Sequence, residues 1–276
     1  MRFFKYEGLG NDFVVLEDLD GEAPKDPGFA VRWCDRRFGI GADGILYIMP
    51  GDDAEAYMKI LNADGSEAEM CGNGIRCVAK HLFDFGLVRS PRMTIDTLAG
   101  RKVIECTVEG GKVRDVTVDM GAPILDCSLI PMDCQGRWVG KGVDVDGLVV
   151  EGTGVSMGNP HFVTFQNLSD DQIDRLGPKL ESHPLFPRRT NVEFASVSED
   201  GIDVRVYERG AAWTLACGTG ACATAVAAVL SGLAQAGKEI EVRLPGGSLW
   251  INVGAGLSSV AMRGPARLVY RGELEE

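Results

Sequence analysis

The chain has 276 residues, with 28 Lys and Arg against 40 Asp and Glu for a net charge of −12. Such an excess of negative charge repels phosphate backbones and anionic lipid, which excludes nucleic acid and a membrane surface as expected partners. The length suits two domains of ordinary size, each burying its own core.

The opening segment carries Arg2 and Lys5 and turns polar by Asn11 before an apolar run can form, so no secretory signal is expected and the cytoplasm is the expected location. The eight cysteines, at 34, 71, 77, 106, 127, 134, 217 and 222, are then expected as free thiols. Cys34, Cys106, Cys127 and Cys134 read as small core residues, and so do Cys77 and Cys222. No Cys-x-x-Cys pair occurs, and the three histidines are scattered at 81, 161 and 183, so no metal is expected.

In chain order, a helix is predicted over 73–85, just after Cys71, with Arg76, Lys80 and Asp84 at its polar positions. Residues 102–118 alternate apolar and polar around Glu109-Gly110-Gly111-Lys112, a hairpin signature. The stretch 210–237 contains no charged residue. Its Gly, Ala, Thr and Cys content is too weakly hydrophobic for a membrane span, and a helix over 219–230, apolar on every side, is expected inside the protein. A second hairpin is predicted over 239–253, around Pro245-Gly246-Gly247.

These elements recur. Cys71-Gly72-Asn73-Gly74 and Cys217-Gly218-Thr219-Gly220 lie 146 residues apart, and at that offset Asn62 matches Glu208, Ala79 matches Ala225, and Gly86-Leu87 matches Gly232-Leu233. Upstream, Gly10-Asn11 is echoed by Gly158-Asn159 at an offset of 148; downstream, Met120-Gly121-Ala122-Pro123 is echoed by Arg263-Gly264-Pro265-Ala266 at 143. Motifs in the same order with slowly drifting offsets indicate an internal duplication. The expected fold is α/β (α+β): two pseudo-symmetric domains, each a strand-rich shell around one helix.

A cysteine at a helix start meets the positive end of the helix dipole and unpaired N–H groups, and both favour the thiolate. A thiol with a free pKa of about 8.5 can thereby become a base near neutrality. The adjoining glycines let a ligand approach, and the amides of Gly72, Asn73, Gly218 and Thr219 could hold an anion. Two such helix starts related by a pseudo-two-fold would bring one thiol to each face of the carbon beside a bound carboxylate. Stereoinversion needs such a pair, because a proton leaves one face while another arrives at the opposite one.

Gly8-Leu9-Gly10-Asn11-Asp12-Phe13, Asn62-Ala63-Asp64-Gly65-Ser66, Cys71-Gly72-Asn73-Gly74-Ile75-Arg76-Cys77, Gly158-Asn159-Pro160-His161 and Ala216-Cys217-Gly218-Thr219-Gly220 together resemble the diaminopimelate epimerase family from end to end. The resemblance implies conversion of L,L-diaminopimelate to the meso isomer, in lysine and peptidoglycan-precursor synthesis, without pyridoxal phosphate, metal or other cofactor. It implies a diaminopimelate epimerase-like fold of two domains, each a β-barrel-like sheet around a helix, with the active site between them, and a homodimer. The last strand is expected to return to the first domain, so one half would cover 1–120 and 264–276 and the other 121–263.

Carried over by position, Cys71 and Cys217 are the acid/base pair, and Gly72, Asn73, Gly218 and Thr219 hold the reacting carboxylate. Glu208 accepts the reacting ammonium, Arg209 pairs with the distal carboxylate, and Asn11, Asn62, Asn159 and Asn191 grip the distal end. His161 and Glu208 are placed to influence the thiols. One departure is Gly44, where some members of the family carry a substrate-touching glutamine. Proline racemase and hydroxyproline epimerase share the paired cysteines, but Glu208-Arg209 and the asparagines argue for a second charged end in the substrate. A binding protein or redox sensor using the two thiols is the rival of another class.

Overall fold

The computed structural model describes residues 1–275. The chain divides into two compact units, Met1–Asp119 with the segment from Arg263 onward, and Met120–Met262. Unit 1 begins with β1 (Arg2–Gly8), β2 (Asn11–Glu17), α1 (Pro27–Cys34), β3 (Gly44–Met49), β4 (Ala56–Asn62) and the short β5 (Glu67–Ala68). It continues with α2 (Gly72–Asp84), β6 (Arg92–Asp96), β7 (Lys102–Glu109) and β8 (Lys112–Gly121), along which the chain leaves the unit. Unit 2 holds β9 (Lys141–Val145), β10 (Leu148–Ser156), β11 (Pro160–Thr164), α3 (Asp170–Glu181), β12 (Asn191–Ser198), β13 (Gly201–Glu208) and β14 (Ala212–Thr214). There follow α4 (Gly218–Leu230), β15 (Glu239–Leu244), β16 (Gly247–Val253) and β17 (Val260–Pro265), from which β18 (Arg267–Glu273) runs on in unit 1.

Strand wiring bears out the duplication that the motifs suggested. In unit 1, β1 and β2 pair antiparallel, β2 and β3 parallel, β3 and β4 antiparallel, β4 and β5 antiparallel, β4 and β6 parallel, and β6 and β7 antiparallel. In unit 2 the same succession joins β10 to β11, β11 to β12, β12 to β13, β13 to β14, β13 to β15, and β15 to β16. Register gives the equivalences, since Phe13 pairs with Gly44 in one unit and His161 with Asn191 in the other. Gly44 is therefore the counterpart of Asn191, Phe13 of His161, and Leu46 of Glu193.

Each unit wraps its strands about one helix. β1, β2, β3, β6 and β7 pack on α2, and β10 to β13, β15 and β16 pack on α4. The uncharged sequence of α4 follows from that enclosure, because Ala221, Cys222, Ala223, Ala225, Val226, Ala227 and Ala228 are all fully buried. Small side chains let the surrounding strands approach the helix closely. No helix among the described residues is long and apolar enough to cross a membrane. In α2 the buried Arg76 is tolerated because its guanidinium donates to Gly72 O, Asn73 Oδ1 and Pro265 O at 3.0, 2.8 and 3.1 Å.

One expectation is corrected. Cys127 and Cys134 form a disulfide rather than two free core thiols, with Cα atoms 5.7 Å apart. The segment between them folds back, with the Met132 N–H donating to Cys127 O, and so brings the two α-carbons within bridging range. Cys34, Cys77, Cys106 and Cys222 are buried and outside any disulfide, as expected of core residues.

Candidate active site

Both helices start on the cysteine that the repeat singles out. Cys71 is the N-cap of α2 and Cys217 the N-cap of α4, each with extended backbone. Their sulfurs accept from the N–H groups of Gly74 and Gly220, at 3.4 Å in both cases. A sulfur thus stands where a Ser or Asp oxygen usually caps a helix, tied to the first turn by one of its orphan donors. Beside it, the first-turn amides of Gly72 and Asn73, and of Gly218 and Thr219, lie where a helix supplies no acceptor of its own, the position at which a helix start can take an anion.

Around Cys71, the side-chain oxygen of Asn11 accepts from the thiol at 3.6 Å and from Asn73 Nδ2 at 3.2 Å. The other end of the Asn11 amide donates to Asp43 Oδ2 at 2.8 Å, and Asp43 in turn receives Arg36 Nη2 at 2.7 Å. Asn62 ends β4 and donates to Ser66 Oγ at 2.9 Å. The sequence reading named Asn11 and Asn62 for the distal end of the substrate and Asn73 for its reacting carboxylate, and missed Asp43 and Arg36. At the departure from the family pattern, a Cβ on Gly44 would stand 2.8 Å from Leu61 O, so this strand position has no room for the side chain it lacks.

Around Cys217, the Thr219 hydroxyl lies 3.5 Å from the sulfur. Glu208 ends β13 and accepts from Thr214 Oγ1 at 2.6 Å. Asn191 is buried with both ends of its amide occupied, donating to Pro160 O at 2.8 Å and accepting the Arg209 N–H at 2.9 Å; it braces the strands at this half-site. The Arg209 side chain is exposed and, among the described residues, donates to Arg188 O at 3.4 Å. His161 faces Asn159 Oδ1 through Nε2 at 3.0 Å and Glu193 Oε1 through Nδ1 at 2.7 Å. Glu193 was missed, although a carboxylate amid the apolar run Val192, Phe194 and Ala195 was a visible signal.

The expectation that both helix starts favour thiolate is corrected for Cys217. Burial pushes this thiol well above its ordinary value, the carboxylates of Glu208 and Glu193 add to the rise, and the Thr219 hydroxyl and Gly220 N–H only partly oppose it. At 5% exposure, desolvation of a charged sulfur outweighs the helix N-terminus. Among the described residues no group of three or more His, Cys, Asp or Glu is gathered to hold a metal ion.

The family described as diaminopimelate epimerase matches residues 3–125 and 153–269, so each cysteine and its surroundings fall within a matched segment. The chain belongs to the diaminopimelate epimerase family. It is 50% identical to the diaminopimelate epimerase of Pelotomaculum thermopropionicum, over 99% of this chain and 98% of that protein. The diaminopimelate epimerase of Desulfitobacterium hafniense is 48% identical over 100% of this chain and 99% of its own length. Among solved structures, a hydroxyproline epimerase from Agrobacterium vitis superposes with a TM-score of 0.72, covering 99% of this chain and 91% of that one. A probable proline racemase from Agrobacterium radiobacter gives 0.72, with 99% and 92% covered. At 16% identity these two share the fold alone. As a diaminopimelate epimerase family member, the chain is a cofactor-independent isomerase that epimerises L,L-diaminopimelate to the meso form.

Proposed function

We propose that Cys71 and Cys217 are the two acid/base groups of this epimerisation, one acting on each face of the substrate α-carbon. The observation that carries the reading is that both sulfurs cap a helix start and accept from its first turn, in two units of identical wiring. Removing an α-proton requires a base on one face and a loaded acid on the other, and two thiols exchange those roles when the reaction reverses. The amides of Gly72, Asn73, Gly218 and Thr219 would bind the reacting carboxylate and stabilise the charge that builds on it as the proton leaves. Glu208 would receive the reacting ammonium, Arg209 the distal carboxylate, and Asn11, Asn62 and Asn159 the distal amino-acid end, while Asn191, expected there too, has both ends of its amide occupied and braces the strands instead. His161 and Glu208 would tune the thiols.

Family resemblance supports a homodimer, a cytoplasmic location, and domain limits at 1–120 with 264–276 and at 121–263. A solution mass of twice 29.6 kDa by light scattering tests the dimer. Replacing either cysteine tests the site, since Cys71→Ser and Cys217→Ser should each cut turnover by about a thousandfold or more while the fold persists, loss of an essential acid or base being worth several kcal/mol of barrier. A variant that kept within tenfold of the parent rate would remove its cysteine from the mechanism.

A further inference from the structure

The two halves are wired alike but are not chemically alike beneath their cysteines. Where unit 2 places His161 and Glu193, unit 1 places Phe13 and Leu46 at the equivalent register positions. A Cβ on Gly74 would meet the Leu46 side chain at 3.1 Å, whereas one on Gly220 would meet Glu193 Oε1 at 2.9 Å and the Cys217 sulfur at 3.2 Å. The carboxylate and the thiol thus flank the same small space at the start of α4. The fold needs no carboxylate there, because its own other half fills that position with an apolar side chain.

Keeping an acid at this position is costly. Glu193 is fully buried, and its second oxygen, Oε2, has no hydrogen-bond partner among the described residues. An unsatisfied buried carboxylate oxygen is destabilising, a penalty that packing alone gives no reason to retain. Its other oxygen, Oε1, lies 2.7 Å from Nδ1 of the equally buried His161.

We propose that Glu193 is a positioning residue for the Cys217 half-reaction: held against Gly220 and paired with His161, its carboxylate keeps the proton on the Cys217 thiol between turnovers. The inference rests on the reading of Cys217 as an acid/base group. Burial raises the Glu193 carboxyl as well, and the charge and hydrogen bond of His161 oppose that rise, so the anion depends on this pairing; its negative charge beside the sulfur disfavours thiolate. The groups acting on the thiol are Glu193 on β12, Glu208 on β13, and the Thr219 hydroxyl and Gly220 N–H of α4, with His161 on β11 in contact with Glu193; Arg209, next to Glu208, is exposed. The other strands packed on α4 carry their charges, Glu151, Glu239, Glu241 and Arg243, at exposed or half-exposed positions. Gly220 is required because any side chain at that position would separate the carboxylate from the sulfur.

Glu193→Gln removes the charge and keeps an acceptor for the His161 ring. Iodoacetamide alkylation of Cys217 at pH 7.5, located by tandem mass spectrometry, should become about tenfold faster, the effect of a one-unit fall in thiol pKa. The alkaline limb of the kcat/KM profile should move to lower pH, because the loaded acid is lost sooner, and kcat should fall more than KM changes. The double variant His161→Phe with Glu193→Leu copies the arrangement that already packs in unit 1, and it should accelerate alkylation in the same way. Unchanged alkylation in both variants would overturn the proposal. Alkylation is read without turnover, so a Cys217→Ser enzyme that remained active would sink the catalytic reading separately and leave the action of Glu193 on the thiol measured.

Discussion

Asn11 turns its side-chain oxygen toward Cys71, 3.6 Å from the sulfur. That orientation is fixed from both ends. Asp43 takes the amide N–H, and Asn73, itself held by Arg76, donates to the oxygen. Asp43→Ala should release Asn11 and lower kcat/KM by about tenfold, as expected when a hydrogen bond to a charged group is lost. Arg36→Gln should do part of the same. Steady-state kinetics checks both, and an Asp43→Ala enzyme with parental constants would show that Asn11 holds its orientation unaided.

Gly74 and Gly220 occupy the same place in the two helix starts but should respond differently to a methyl group. In unit 1 the added carbon meets the flexible end of Leu46, which can move aside. In unit 2 it meets a carboxylate held by His161 together with the Cys217 sulfur. Gly74→Ala should stay within a few-fold of parental kcat, and Gly220→Ala should lose about tenfold or more, since small displacements of an acid/base group are costly. Equal effects in the two would contradict the asymmetry.

Acid should loosen unit 1 in a defined window. Burial alone would raise the Asp12 carboxyl, but hydrogen bonds and charge from Arg36 and Lys5 outweigh it and hold the value down to about 2. A carboxyl lowered in the folded state stabilises above its unfolded value of about 3.9 and loses that contribution as pH falls toward the folded one. Unfolding free energy should therefore drop between about pH 4 and pH 2, by about 1–2 kcal/mol from this group. Arg36→Gln should shrink the drop, and denaturant melts across that range would show it. A drop undiminished in the variant would assign it to other carboxylates.

Much of the fold was legible because the repeat marks the chemistry. The Cys-Gly-x-Gly stretches placed both helix starts, and the hairpins over 102–118 and 239–253 appear as β7 with β8 and β15 with β16. What a repeat conceals is where its copies diverge. Glu193 faces the helix where its counterpart Leu46 is apolar, so the shared motifs do not mark it. Burial was equally hidden, because the sequence shows the dipole beside Cys217 but not the desolvation and carboxylates that oppose it. The Cys127–Cys134 bridge depends on a chain reversal that a spacing of seven residues does not specify. Asp43 could be read only through its contact with Asn11, which pairing of the β2 and β3 segments creates.

The most direct test of the account is proton NMR of the purified protein with L,L-diaminopimelate in heavy water under reducing conditions, without added pyridoxal phosphate. Two thiols acting on opposite faces predict that meso-diaminopimelate accumulates with solvent deuterium at the inverted α-carbon. Meso product that retained the original α-proton throughout, or substrate that neither exchanged nor inverted, would contradict it.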